Sequence, residues 1–158
     1  MPDLHGEVMQ SGNVAVVTGS SSGIGRAVAR LCAAKGMHVF LADIDAQMLP
    51  EAQAEIDSLA SPHGGSATSV VTDVSDPQSV ASLRDAVLAA HGTVHLLHCN
   101  AGLEVPGGVL EPLSSWERTL GVNLFGVIYA AKAFLEPMMQ GGQPGVIVCT
   151  GSKQGITM

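Results

Sequence analysis

Five short apolar runs, rich in valine, punctuate the chain: Val14–Val17, His38–Ala42, Thr68–Val71, Val94–His98 and Val146–Thr150. Each is apolar at consecutive rather than alternate positions, which predicts strands covered on both faces, as in a parallel sheet between helical layers. Between the runs the apolar period lengthens to that of a helix. Ile24, Ala27, Val28 and Leu31 fall at i, i+3, i+4 and i+7, and Gly36 is placed to close that helix in a left-handed cap. Asp45 is suited to cap the next helix, which runs out at Ser61-Pro62-His63-Gly64-Gly65. Asp76-Pro77 reads as an N-cap followed by proline at the first helical position, with Val80, Leu83, Val87 and Ala90 as the apolar stripe. Ser114-x-x-Glu117 reads as a capping box opening a long helix. Its buried face is expected at Leu120, Leu124, Val127, Ala131, Phe134 and Met138, and its end at Pro137 and Gly141-Gly142. The resulting order is β-α-β-α-β-α-β-α-β. With right-handed crossovers between parallel strands, this is an α/β fold: a doubly wound parallel sheet (Rossmann fold) with five strands.

At ~100–200 residues per domain, a chain of 158 residues makes one domain, expected over 12–158 after a short N-terminal tail at 1–11. Charged residues are only 13% and apolar ones 46%, which excludes intrinsic disorder. No uncharged apolar run approaches the ~18 residues of a membrane span, so no membrane association is expected. The net charge of −7 and the 3% of aromatics argue against a nucleic-acid partner, which needs cations for phosphates or rings for bases. Cys32, Cys99 and Cys149 are too scattered for a disulfide framework or a zinc site. No metal is expected, and the first eleven residues lack the apolar core of a signal peptide, so the expected compartment is cytoplasmic.

The chemistry concentrates where the first strand meets the first helix. Thr18-Gly19-Ser20-Ser21-Ser22-Gly23-Ile24-Gly25 follows the strand directly. Gly19 suits the tight turn, Gly23 a close approach to a diphosphate, and Gly25 close packing of helix on sheet. The helix N-terminus, with Ser21, Ser22 and Ile24 in the turn, then offers amide and hydroxyl donors to phosphate. Asp43 ends the second strand eighteen residues after Gly25. A carboxylate there accepts ribose hydroxyls and repels a 2′-phosphate, and Ser22 brings no cation, so NAD is favoured over NADP.

These residues, with others further along, resemble the short-chain dehydrogenases/reductases. The spacing Thr-Gly-x-x-x-Gly-x-Gly is similar to that of the family's shorter-chain branch. Asp73-Val74 after strand three resembles the pair that meets the adenine, and Asn100-Ala101-Gly102 after strand four the Asn-Ala-Gly signature beside the cofactor. Asn123 matches the helix asparagine that supports the catalytic lysine, and Gly145 to Val148 the strand leading to Thr150 and the substrate-binding Ser152. The resemblance implies cofactor contacts at Gly19, Ser21, Ser22, Gly23, Ile24, Gly25, Asp43, Asp73, Val74, Asn100, Ala101, Gly102 and Thr150. It implies catalytic roles for Ser152 and Asn123, a small alcohol or ketone substrate, and a homo-oligomer. Cys99 stands where the family usually has another asparagine, and His95 and His98 replace more usual strand residues. Three apart on a strand, these two histidines face opposite ways and do not share a metal.

The family's chemistry further implies a Tyr-x-x-x-Lys pair after strand five, in which lysine lowers the pKa of a tyrosine base. The sequence to Met158 does not contain it. Tyr129 and Lys132 are three apart, precede Ser152 and read as packing and surface residues. The expectation is therefore the N-terminal portion of an NAD-dependent oxidoreductase. Two alternatives stay open: a non-catalytic NAD-binding module or scaffold whose open sheet edge a partner covers, and another enzyme of the same fold such as a methyltransferase.

Overall fold

A computed structural model of the protein describes residues 7–104 and 109–152. Its strands are β1 (Val14–Thr18), β2 (His38–Asp43), β3 (Ser66–Val71), β4 (Leu96–Cys99) and β5 (Val146–Cys149). They form one parallel sheet in the order β3-β2-β1-β4-β5. The helices are α1 (Gly23–Ala34), α2 (Leu49–Ala60), α3 (Pro77–His91), α4 (Leu113–Leu120) and α5 (Gly126–Gln140), with a π-helical segment at Gly121–Phe125 between the last two. This is the doubly wound architecture that the apolar runs predict.

Alternation along β1 feeds two cores. Ala15 and Val17 join Ala29, Cys32, Leu41 and Ile56 on one face, while Val14 and Val16 join Leu83, Val87, Leu97 and Phe134 on the other. Burial on both faces holds for β1, β2 and β4. It fails at the edges: Ala67 is the one buried residue of β3, and β5 is largely exposed. Val8 is buried in the first core, and Asn13 Nδ2 donates to the carbonyls of Glu7 and Val8. The rest of the expected tail, residues 1–6, lies outside the described residues, as do residues 153–158 of the expected domain.

Several local signals act as expected. Asp76 Oδ1 accepts from the Gln78 amide at 2.9 Å, ahead of Pro77, and Gly36 follows α1 with φ +76°. Asp45 Oδ1 accepts from the amides of Gln47 and Met48, closing the turn before α2, whose own N-cap position is Met48.

The helix faces need correction. On α1, Ile24 and Leu31 are 61% and 52% exposed, and the helix instead buries Gly25, Ala29, Cys32 and Ala33. The buried face is turned by one residue, ~100°, because small side chains let the helix lie closer to the sheet than large ones. On α3, Val80, Leu83 and Val87 are buried but Ala90 is exposed. The capping box at Ser114 does not form: α4 starts at Leu113 behind Pro112, with no side-chain cap. Leu120 and Leu124 are exposed, whereas Gly126, Ala130, Phe134 and Met138 are buried. The π segment explains the shift: its wider turn breaks the single 3.6-residue phase, so Leu120 before it and Leu124 within it no longer share a face with Phe134 and Met138. Pro137 lies inside α5, which continues to Gln140; in a last turn its missing N–H removes one bond, and the Gly141 amide still reaches the Pro137 carbonyl. The continuous helical stretch Leu113–Gln140 is long and apolar enough to cross a membrane by length and composition. Here it lays Ala130, Phe134 and Met138 into the core beside β4.

Candidate functional site

A cavity of about 690 Å³ opens over the C-terminal ends of the strands, where the strand order reverses between β1 and β4. In doubly wound sheets this switch point is where ligands bind. Gly19, Ser21, Ser22, Gly23, Ile24, Asp43, Asp73, Val74, Asn100, Ala101, Gly102 and Thr150 all line it. Gly25, Asn123 and Ser152 do not.

The glycine turn is held by contact with the end of β4. Gly19 has φ +64°, and a Cβ there would stand 2.8 Å from Ala101 Cα. A Cβ on Gly25 would stand 2.0 Å from the Gly19 carbonyl oxygen, so only glycine lets α1 start this close to the sheet. Gly23 is different: it lines the cavity, and a Cβ there would meet no protein atom within 4 Å. Ser22, the residue before α1, makes no side-chain cap bond. The first-turn amides and the positive end of the helix dipole are thus directed at open space beside the turn, which fits a diphosphate.

Thr18 is the hub beneath this turn. Its Oγ1 donates to the His98 carbonyl (3.3 Å) and accepts from the amides of Asn100 (2.9 Å) and Ala101 (3.0 Å). Asn100 Nδ2 donates back to the carbonyls of Thr18 and Gly19. On its other side Asn100 Oδ1 accepts from Thr150 Oγ1 at 3.0 Å. Because the Thr150 proton is used there, the 3.0 Å contact between His98 Nε2 and Thr150 Oγ1 has the histidine as donor. His98 Nδ1 is then a bare acceptor, buried without a hydrogen-bond partner. Burial holds the His98 pKa below its usual value. Cys99, in register with Cys149 on β5, has its thiol pushed up to about 12, first by burial and then by that neighbouring thiol, so it stays protonated and unreactive.

Asp43 ends β2 inside the cavity. Its Oδ2 accepts from the Ser21 amide (2.9 Å) and hydroxyl (2.7 Å), and its Oδ1 from the Asp45 amide (3.1 Å). Asp73 Oδ1 accepts from the amide and hydroxyl of Ser75. Val74 is pinned against Gly126, where a Cβ would come within 2.8 Å of Val74 Cγ2. Asn123 sits in the π segment and clamps the backbone of Leu103: Oδ1 accepts from its amide and Nδ2 donates to its carbonyl, both at 2.9 Å. Ser152 is exposed at the end of the described residues. Tyr129 packs on the second core with its ring 5.9 Å from that of Phe125, and Lys132 is exposed. Among the described residues no group of acids, histidines and cysteines could hold a metal.

Several residues in or beneath this site are not singled out by the sequence reading, Thr18 and Arg118 among them. Thr18 had a signal, as the threonine that opens the glycine motif, but nothing in the spacing reveals that one hydroxyl serves the ends of two strands. Arg118 on α4 lines the cavity. In the sequence it is one polar position among others on that helix, and only the fold brings it to the cavity that Asp43 and Asp73 also line.

The family model of the short chain dehydrogenases matches residues 13–158. The chain belongs to this family. Among relatives, an uncharacterized oxidoreductase of Thermotoga maritima is 38% identical over 141 residues, covering 89% of this chain and 53% of its own. A short-chain dehydrogenase/reductase from Burkholderia phymatum, solved in complex with NAD, superposes with a TM-score of 0.82 at 37% identity, covering 92% of this chain and 51% of that one. A metagenomic short-chain oxidoreductase in complex with NADP has the same TM-score at 36% identity, covering 91% and 64%. The chain thus spans about half the length of such short-chain dehydrogenases, matching their N-terminal portion. Solved members of the family bind both nicotinamide dinucleotides.

Proposed function

We propose that the protein is an NAD-dependent oxidoreductase that moves a hydride between NAD(H) and an alcohol or carbonyl substrate, this chain supplying the cofactor-binding part. When bound, the dinucleotide supplies the hydride acceptor or donor. The first-turn amides of α1 and the hydroxyl of Ser22 hold its diphosphate, while the Ser21 hydroxyl is already committed to Asp43. Asp73 and Val74 border the adenine, and Asn100, Ala101, Gly102 and Thr150 support the nicotinamide half. Ser152 orients the substrate oxygen, and Asn123 keeps the backbone of Leu103 in place at the cavity wall.

The preference for NAD rests on Asp43. Its carboxylate stands in the cavity with three of about four acceptor positions taken, two at Oδ2 and one at Oδ1. It is thereby held in one orientation, ready to accept a ribose hydroxyl at Oδ1 and to repel a 2′-phosphate. A second ribose hydroxyl at Oδ2 requires the Ser21 hydroxyl to swing away. The test is fluorescence titration with NADH and NADPH. NADH is expected to bind more tightly, and Asp43→Ala to weaken NADH and bring the two affinities together. Tighter binding of NADPH to the unaltered protein overturns the preference.

A further inference from the structure

Asp43 does not hold its orientation alone. The Ser21 amide and hydroxyl that fix its Oδ2 belong to a residue whose carbonyl is itself grasped, 3.3 Å away, by Arg26 Nη1. Arg26 lies on the first turn of α1, is not among the residues lining the cavity, and its side chain is only 15% exposed. The rest of its guanidinium is anchored on α2. Nε and Nη2 meet Glu55 Oε2 at 2.7 and 2.6 Å, and Nη2 meets Glu51 Oε1 at 2.8 Å. Arg30, one turn further along α1, pairs with the other oxygen of Glu55. The hydrogen bonds to Glu51 and Glu55 hold the guanidinium more firmly charged than usual, and Glu55 is held below the ordinary carboxylate range, first by Arg30 and then by Arg26.

We propose that Arg26 is a positioning residue for cofactor discrimination: braced by Glu51 and Glu55, it fixes the Ser21 peptide, through which Ser21 aims the Asp43 carboxylate. This rests on the reading of Asp43 as the group that selects NAD. The planar fork is what suits arginine to the task. One guanidinium reaches two carboxylates on α2 and a carbonyl on the turn in fixed directions, and an ammonium does not. With the peptide fixed, the Asp43 charge stays where a 2′-phosphate would stand. With the peptide loose, the carboxylate is free to turn aside and admit it.

The experiment compares NADH and NADPH dissociation constants for the unaltered protein and for Asp43→Ala, Arg26→Met, Arg26→Lys, Ser21→Ala and Ser21→Thr. Ser21→Ala leaves every α1–α2 ion pair in place and tests the Ser21–Asp43 half of the relay, while Arg26→Lys, which keeps a cation beside Glu51 and Glu55, tests the Arg26 half where Arg26→Met folds poorly. Arg26→Met and Ser21→Ala are each expected to narrow the NADH preference by about two- to tenfold, the effect of one ordinary hydrogen bond, mainly through tighter NADPH. Ser21→Thr, which retains the hydroxyl, keeps the preference, and Arg26→Lys narrows it as Arg26→Met does. Equal weakening of both cofactors in Arg26→Met, with the ratio unchanged in Ser21→Ala, overturns the proposal and leaves Arg26 a tie between helices. An unaltered protein that binds both cofactors alike removes the NAD reading itself, and this proposal with it. A protein that discriminates, and loses discrimination on Asp43→Ala alone, sinks the Arg26 relay while sparing that reading.

Discussion

The hydroxyl of Thr18 shows how much one side chain can hold. It is buried, serves one carbonyl and two amides, and joins the end of β1 to that of β4. Thr18→Val keeps the shape and removes the oxygen, leaving the Asn100 and Ala101 amides without their acceptor. The expected cost is about 1–3 kcal/mol of stability, read as a lower urea midpoint, with Thr18→Ser recovering most of it. A midpoint unchanged in the valine variant would mean that water replaces the hydroxyl at no cost. Cofactor affinity is expected to fall alongside, because the two amides bracket the loop on which Asn100 and Gly102 stand.

At the scale of elements, α5 is attached to the sheet through few large side chains. Phe134 is fully buried in the second core, and Met138 lies one turn beyond it. Phe134→Ala is expected to cost about 3–5 kcal/mol, whereas truncating the half-exposed Leu135 costs far less; thermal unfolding of the two variants side by side measures the contrast. This difference was only partly legible in the sequence. Phe134 and Met138 were expected inside, but so were Leu120 and Leu124, because a single helical phase was carried through a segment that widens into a π turn. What could be read was whatever depends on neighbours in the chain: Asp76 before Pro77, Gly36 after α1, the glycine turn between strand and helix. What could not be read depends on distant partners. The face of α1 is chosen by how closely the sheet lets it approach, and Arg26 is assigned by glutamates 25 and 29 residues away. Arg118 joins the cavity wall through the fold and not through any spacing in the chain.

For the molecule as a whole, three histidines set the response to acid. His91, His95 and His98 all have pKa values below their usual 6.5: burial is the cause for each, reinforced for His91 by the stacked ring of His38 at 4.4 Å. In the unfolded chain the same groups take up protons near pH 6.5. Stability is therefore unaffected by them above that pH and is lost as pH falls below it, since the unfolded state then binds more protons than the folded one. Chemical denaturation at pH 7.5, 6.5 and 5.5 is expected to give a falling series. His91→Phe, which keeps a ring against Phe40 without a titrating nitrogen, is expected to make it shallower, His95 and His98 remaining. A series that stays level in the unaltered protein would show that these rings protonate as readily folded as unfolded.

The interlock at the mouth of β1 carries one more implication. Gly19, Gly25 and Asn100 occupy a single contact set in which each atom that could be added to one is already the space of another. The loop and the end of the fourth strand therefore pack as one part, although Gly25 and Asn100 stand 75 positions apart in the chain. Anyone transplanting a different glycine turn into this scaffold has to exchange both pieces together.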